Sequence, residues 1–174
     1  MILRYWQMIN LPVVSISEGE LAGHVGEVAF FSSELKIAAF LLKAPFLQSH
    51  LERQIITASD IREVDKEAVA ISDFQAISTL RDSIRVQRII HDKAFGLNQW
   101  VFTKTGVFLG RVKDFYFDSQ TLAITKFVVK GFLAEHLIDR KNIIDIKRHK
   151  ITVKTELIEV SNRKLSILHQ FDSK

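Results

Sequence analysis

The chain repeats itself. Gly19-Glu-Leu-Ala-Gly23-His-Val25 recurs as Gly106-Val-Phe-Leu-Gly110-Arg-Val112, and the same offset of 87 residues runs on ungapped through Phe30/Phe117, Ser32/Ser119, Leu35/Leu122, Ile37/Ile124, Phe40/Phe127 and Lys43/Lys130. Further on the offset becomes 82, so that Ile61/Ile143, Val64/Ile146, Val69/Ile151 and Ile71/Val153 correspond, with a loop five residues shorter in the second copy taking up the difference. Two copies of one supersecondary unit therefore make up most of the protein, which argues against a single catalytic centre grafted on one fold.

Each copy reads as short strands broken by turns. In the first, Leu11 to Ile16 opens, Leu21 to Phe31 follows with Gly23 and Gly26 marking a bulge or a close backbone approach, and Lys36 to Leu42 is apolar almost throughout and hence central. Gln54 to Ala58 and Ala68 to Ile71 close the set around a Ser59-Asp-Ile-Arg62 turn. The second copy answers with Trp100 to Phe102, Arg111 to Phe117 after a Lys104-Thr-Gly106 turn, and Leu122 to Val129. The expected fold is mainly β, with two small antiparallel barrels in tandem. Copies of about 75 to 80 residues have marginal cores in isolation, so the two are expected to pack together or to be braced by the segment between them.

That segment carries the one convincing helical pattern. Ile77, Leu80 and Ile84 take helical spacing, Ser78 or Thr79 can cap the start, and Gly96 can end it. The expected organisation is thus residues 1–76 as first barrel, 77–96 as linker helix, 97–156 as second barrel and 157–174 as a tail or short helix. Arg81, Arg85 and Arg88 then form a stripe, either a grip for phosphates or an acidic partner, or the solvated side of an amphipathic linker.

Charge divides the copies more sharply than the fold does. Residues 1–79 hold 6 Lys/Arg against 10 Asp/Glu, whereas 80–174 hold 18 against 10, a balance of −4 beside one of +8. The basic half offers Arg111, Lys113, Lys147 and Arg148 as partner contacts, with Lys104, Lys126, Lys130 and Lys150 as further phosphate contacts. Few aromatics in this half are clearly placed on an exposed strand face. Pro45-Phe46-Leu47 and Gly131-Phe132-Leu133 set Phe46, Leu47, Phe132 and Leu133 beside turns, either as core or as a sticky edge for a protein partner, a second copy or a membrane surface.

Catalytic chemistry has little to build on. With 0 cysteines there is no thiolate ligand or nucleophile. No G-x-S-x-G, H-E-x-x-H or P-loop pattern occurs. His50 and His136 recur in matching loops and could meet near Glu52 or Glu135, but two imidazoles are a thin ligand set, so neither a metal nor a cofactor is expected. No apolar run approaches the ~20 residues of a membrane span and no secretion signal is evident, so a cytoplasmic location is the default expectation.

Residues Leu11 to Val25 and Val101 to Val112, with Phe117-Asp118 and the closing Ile56-Thr-Ala-Ser-Asp-Ile61, resemble the PRC-barrel family: an apolar strand, then x-x-G-x-x-[LIV]-G-x-V, then a strand ending in Phe-Asp. The first copy departs by carrying Phe31 where the aspartate stands. The resemblance covers most of the chain and implies a binding module without known catalytic residues. The fold occurs in the cytoplasmic domain of the photosynthetic reaction-centre H subunit and in a ribosome-maturation factor, neither of whose functions transfers to this layout. The expectation is a non-enzymatic adaptor for a protein partner, with an RNA- or ribosome-associated factor as the alternative and homo-oligomerisation left open.

Overall fold

The computed structural model describes residues 1–44, 52–92, 97–132, 134–147, 149–154 and 159–161. The chain opens with β1 (Ile2–Arg4) and the short α1 (Tyr5–Met8). The first copy follows as β2 (Pro12–Ser15), β3 (Leu21–Phe31), β4 (Lys36–Leu42), β5 (Gln54–Thr57), β6 (Ile61–Val64), β7 (Val69–Ile71) and β8 (Ile77–Thr79). After α2 (Ile84–Asp92) the second copy comprises β9 (Trp100–Thr103), β10 (Phe108–Asp118), β11 (Ile124–Lys130), β12 (Glu135–Asp139), β13 (Ile143–Lys147), β14 (Lys150–Val153) and β15 (Glu159–Ser161).

The two sheets have one topology. The first runs β6-β7-β2-β3-β4-β5-β8 and the second β13-β14-β9-β10-β11-β12-β15, so each strand has a counterpart at the same place. Register follows the repeat closely: Val13 opposes Gly23 as Val101 opposes Gly110, and Val64 opposes Val69 as Ile146 opposes Ile151. Pairing is not wholly antiparallel, which corrects the expectation of two purely antiparallel barrels. In each sheet the opening strand lies parallel to a late one, Val13 beside Val69 and Val101 beside Ile151. Successive turns disclose only neighbouring hairpins, and this pairing joins strands far apart in the chain. The expected turn at Ser59 to Arg62 is also shorter, since Ile61 and Arg62 already belong to β6.

The copies meet through equivalent residues. Ile37 N–H donates to Leu122 O at 2.9 Å, and Ile124 N–H donates to Leu35 O at 2.8 Å, one bond repeated in both directions about a pseudo-two-fold axis. Leu35 and Leu122 are buried and both hold positive φ, 49° and 58°, a conformation costly for leucine that persists because this contact holds it. Beneath it one apolar core takes Phe30, Ile37 and Phe40 from the first copy with Phe115, Phe117 and Phe127 from the second.

Each copy is also covered by the segment that precedes the other. β1 adds to β10, with Leu3 opposite Phe117, and α1 packs on the same strand. In the reciprocal place α2 lies on β3, where Val86 and Leu80 bury Ala29, Ala39 and Leu41. This is why β4 has no polar face: Ile37 and Phe40 enter the main core while Ala39 and Leu41 lie under α2.

The linker helix begins later than its periodicity suggests. Ile77, Ser78 and Thr79 form β8 on β5, and Leu80–Asp82 is a 3-10 turn closed by Thr79 and Asp82 in a reciprocal capping box. The β-branched Ile and Thr suit a strand, and the Thr-x-x-Asp cap stops it being drawn into a helix from Ile77. The rest of the expected helix, 93–96 with Gly96, lies outside the described residues, as does nearly all of the C-terminal tail.

Candidate functional site

The arginine stripe is broken up. Arg81 sits in the 3-10 turn rather than on α2, with Glu52 at 3.9 Å. Arg85 lies over the Phe31 ring, 3.8 Å from its centroid, and reaches Glu34 at 2.9 Å. Phe31 thus serves the first copy as an arginine platform, whereas its counterpart Asp118 accepts hydrogen bonds from Gln120 and Thr121 N–H and caps the turn. Those bonds hold the Asp118 carboxyl below its usual range, Thr121 contributing most. Arg88 lines a shallow groove with Arg85 and Glu34, and among the described residues it has no ion pair of its own.

The outer face of the second sheet is organised differently. On β9 the buried and exposed positions alternate, so Trp100 and Phe102 point outward while Val101 and Thr103 face the core. Register then lines up a row across five strands: Lys147 of β13, Lys150 of β14, Trp100 of β9, Arg111 of β10 and Lys130 of β11. The next row sets Asp145, Thr152, Phe102 and Phe108 side by side. Three rings make a shelf, with Trp100 5.6 Å and Phe102 5.2 Å from Phe108 between centroids. Trp100 and Phe108 are 45% and 49% exposed. Arg111 lies over the Trp100 ring and Lys150 over the Phe102 ring, each at 4.9 Å.

The first copy shows what this surface is without specialisation. The corresponding row is Asp65, Ala68, Pro12, His24 and Lys43, and the aromatic row is replaced by Val14 and Leu21. Like charges directly opposed across strands are unfavourable by a few tenths of a kcal/mol up to about 1. Lys147 beside Lys150 and Arg111 beside Lys130 therefore oppose folding slightly, relieved by Asp145 at 3.0 Å from Lys147 and by Glu135 opposite Lys130. Only the second copy bears that strain. Residues 97–157 match the PRC-barrel domain family. The specialised face lies wholly within this PRC-barrel domain. No curated protein matches the chain.

The expected scarcity of exposed aromatics in the basic half is overturned, because period-two alternation along β9 and the bulge between Phe108 and Gly110 on β10 bring three rings to one face. The signal was present as Trp100-x-Phe102, but the turn separating Phe108 from it hid the cross-strand neighbour. Of the other expected contacts, Arg111 and Lys147 belong to the row, Lys113 is exposed on β10 and Lys104 is exposed beyond β9. Lys126 is half-buried, at 3.5 Å from Asp139. Phe132 is fully exposed, which removes the core reading at that position. Phe46, Leu47, Leu133, Arg148 and His50 lie outside the described residues. His136 stands on β12 with a buried Nδ1.

No helix among the described residues is long and apolar enough to cross a membrane. Beside Trp100 a cleft of about 500 Å³ opens between the copies, lined by Tyr5, Glu27, Phe30, Ile90, Gln99 and His149 among others. Burial, and then the carboxylates of Glu27 and Asp114, push the Tyr5 phenol above its usual value, so it stays protonated at neutral pH.

Asp114, the counterpart of Glu27, is fully buried. Its carboxylate accepts from Arg4 Nε at 2.8 Å and from Phe115 N–H at 2.8 Å. Burial outweighs these bonds and raises its carboxyl above the ordinary range. A carboxyl raised by folding contributes stability that is full below the unfolded value and lost as pH climbs through the folded one. Removing the Arg4 cation lifts the folded value further. Arg4→Ala should therefore cost about 1–2 kcal/mol at pH 7, a figure discounted because the guanidinium is one-third exposed, and less at pH 4. Urea midpoints at the two pH values test this, and an equal deficit at both would count against the pairing.

Proposed function

We propose that this chain is a non-enzymatic binding module of two PRC-type barrels, an adaptor that presents the outer face of its second barrel to a partner. The carrying observation is the row Lys147, Lys150, Trp100, Arg111 and Lys130 over its aromatic shelf, against the row of the first copy, where Asp65 balances the charge of Lys43 and no Trp, Tyr or Phe is present. Shared topology supports reading β2 to β8, residues 12–79, as a second barrel of the same type, although the family match covers only 97–157. The division of labour follows from physics: apart from Lys43/Lys130, the positions common to both copies are mainly apolar or set the turns, so they serve the fold. The exposed rings and cations unique to one copy serve no core and are free to serve a partner.

The test uses the first copy as its own control. A photoreactive phenylalanine analogue is placed at Phe108 or at its counterpart Leu21, and the protein is irradiated in a total cell extract. Adducts should form at 108 and not at 21. Equal labelling at the two positions, or none at either, would remove the reading.

A further inference from the structure

We infer that the partner of this face is single-stranded RNA, a reading that rests on the proposed function and names the chemistry of the ligand. The shelf joins two kinds of recognition that single strands require together: exposed π faces on which bases stack, and cations spaced to meet the backbone. Trp100 and Phe108 supply the first, with the half-buried Phe102 beside them at centroid separations of 5.2 to 6.3 Å. Lys147, Lys150, Arg111 and Lys130 supply the second, carried on four strands in one row with Trp100 at its middle.

Geometry favours an open strand over a duplex or a folded protein. The rings lie on the face of a sheet, where a base must be splayed out of any helix to reach them. The cations hold the ring faces at 4.9 Å, so charge and stacking surface are the same few ångströms of protein rather than separate patches. Thr152 and Asp145, next to Phe102 in the second row, offer a hydroxyl and a carboxylate. A carboxylate repels phosphate but accepts from a ribose 2′-hydroxyl, which directs the choice to RNA. The bulk of the charge also fits, since the half that holds the shelf has the balance of +8.

The first copy supplies fold-compatible substitutions. Phe102→Val, Phe108→Leu, Arg111→His and Lys150→Ala each install the residue that the same sheet position carries in the other copy. Fluorescence anisotropy with a labelled oligouridylate of about twelve nucleotides should show binding whose affinity falls with salt, with a log–log slope near −3 at about −0.7 per neutralised phosphate. Lys150→Ala should reduce that slope by about 0.7. Loss of one stacking ring in Phe108→Leu should weaken binding about tenfold. In a Trp6→Phe background Trp100 is the only indole, and its emission should be quenched on binding.

Melting curves of the four variants should match the parent. Affinity unchanged by all four overturns the site, as does a missing Trp100 response. Oligothymidylate bound as tightly as oligouridylate overturns the assignment to RNA, and competition by polyglutamate at equal charge transfers it to an acidic polypeptide. Failure to bind RNA with position-specific adducts at 108 intact overturns this inference alone. Failure of both overturns the proposed function with it.

Discussion

Phe115→Ala should destabilise the protein by about 3–5 kcal/mol, the range for removing a buried phenylalanine. Its ring is fully buried and lies 5.1 Å from Tyr5, 5.0 Å from Phe30 at 83°, and 6.4 Å from Phe117. Those neighbours come from the leading segment, the first copy and the second copy, so the cavity opens where all three meet. Total stabilities of domains lie at about 5–15 kcal/mol, and the loss therefore takes a large share. Hydrogen exchange provides the decisive readout. Because one core spans both copies, protection should fall by the same amount in β4 and in β11. A loss confined to β11 would show that each copy is stable alone and that the contact between them is incidental.

That shared core explains how far the sequence could be read. The repeat disclosed the strands of each copy and the matched glycines because turns and apolar alternation are local properties, written in neighbouring residues. Gly23 and Gly110 hold φ of 150° and 139°, similar values at matched places in the repeat. The parallel pairing of β2 with β7 and the addition of β1 to β10 are settled by residues far apart in the chain, and no local pattern announces them. Ile77 to Thr79 misled for a related reason: three residues on β5 suit a strand there, yet their spacing from Ile84 also matches a helix.

The candidate site was half legible. Its cations stand out in the sequence as an excess over the first copy, Arg111 and Lys147 among them. Its rings do not, since Phe108 follows Trp100 by a turn and becomes its neighbour only through the register of β9 and β10. Phe132 makes the opposite case, a large ring beside a turn that stands fully exposed. Aromatic residues report a surface only once the register is known.

Gly110→Ala should cost about 3–5 kcal/mol, of which about 1–3 is strain at positive φ and the remainder is overpacking. A Cβ there would stand 2.2 Å from Lys130 O, 2.5 Å from its carbonyl carbon and 2.7 Å from Gly131 Cα. All three are backbone, so no side chain can swing aside. Gly23 occupies the equivalent place with φ of 150°, but its nearest neighbour is Leu42 Cδ1 at 3.4 Å, an ordinary contact. Gly23→Ala should then carry the strain alone, about 1–3 kcal/mol. Urea denaturation of the two variants measures the difference, and equal losses would mean that β10 and β11 do not approach as closely as described. The comparison also reaches the proposed site. Gly110 lies between Phe108 and Arg111, and the atoms it would strike belong to Lys130 and Gly131, so the same close approach sets the spacing of the shelf and its cations. Gly110→Ala should weaken oligouridylate binding even in urea-free buffer at a temperature where it remains folded, while Gly23→Ala should leave binding unchanged.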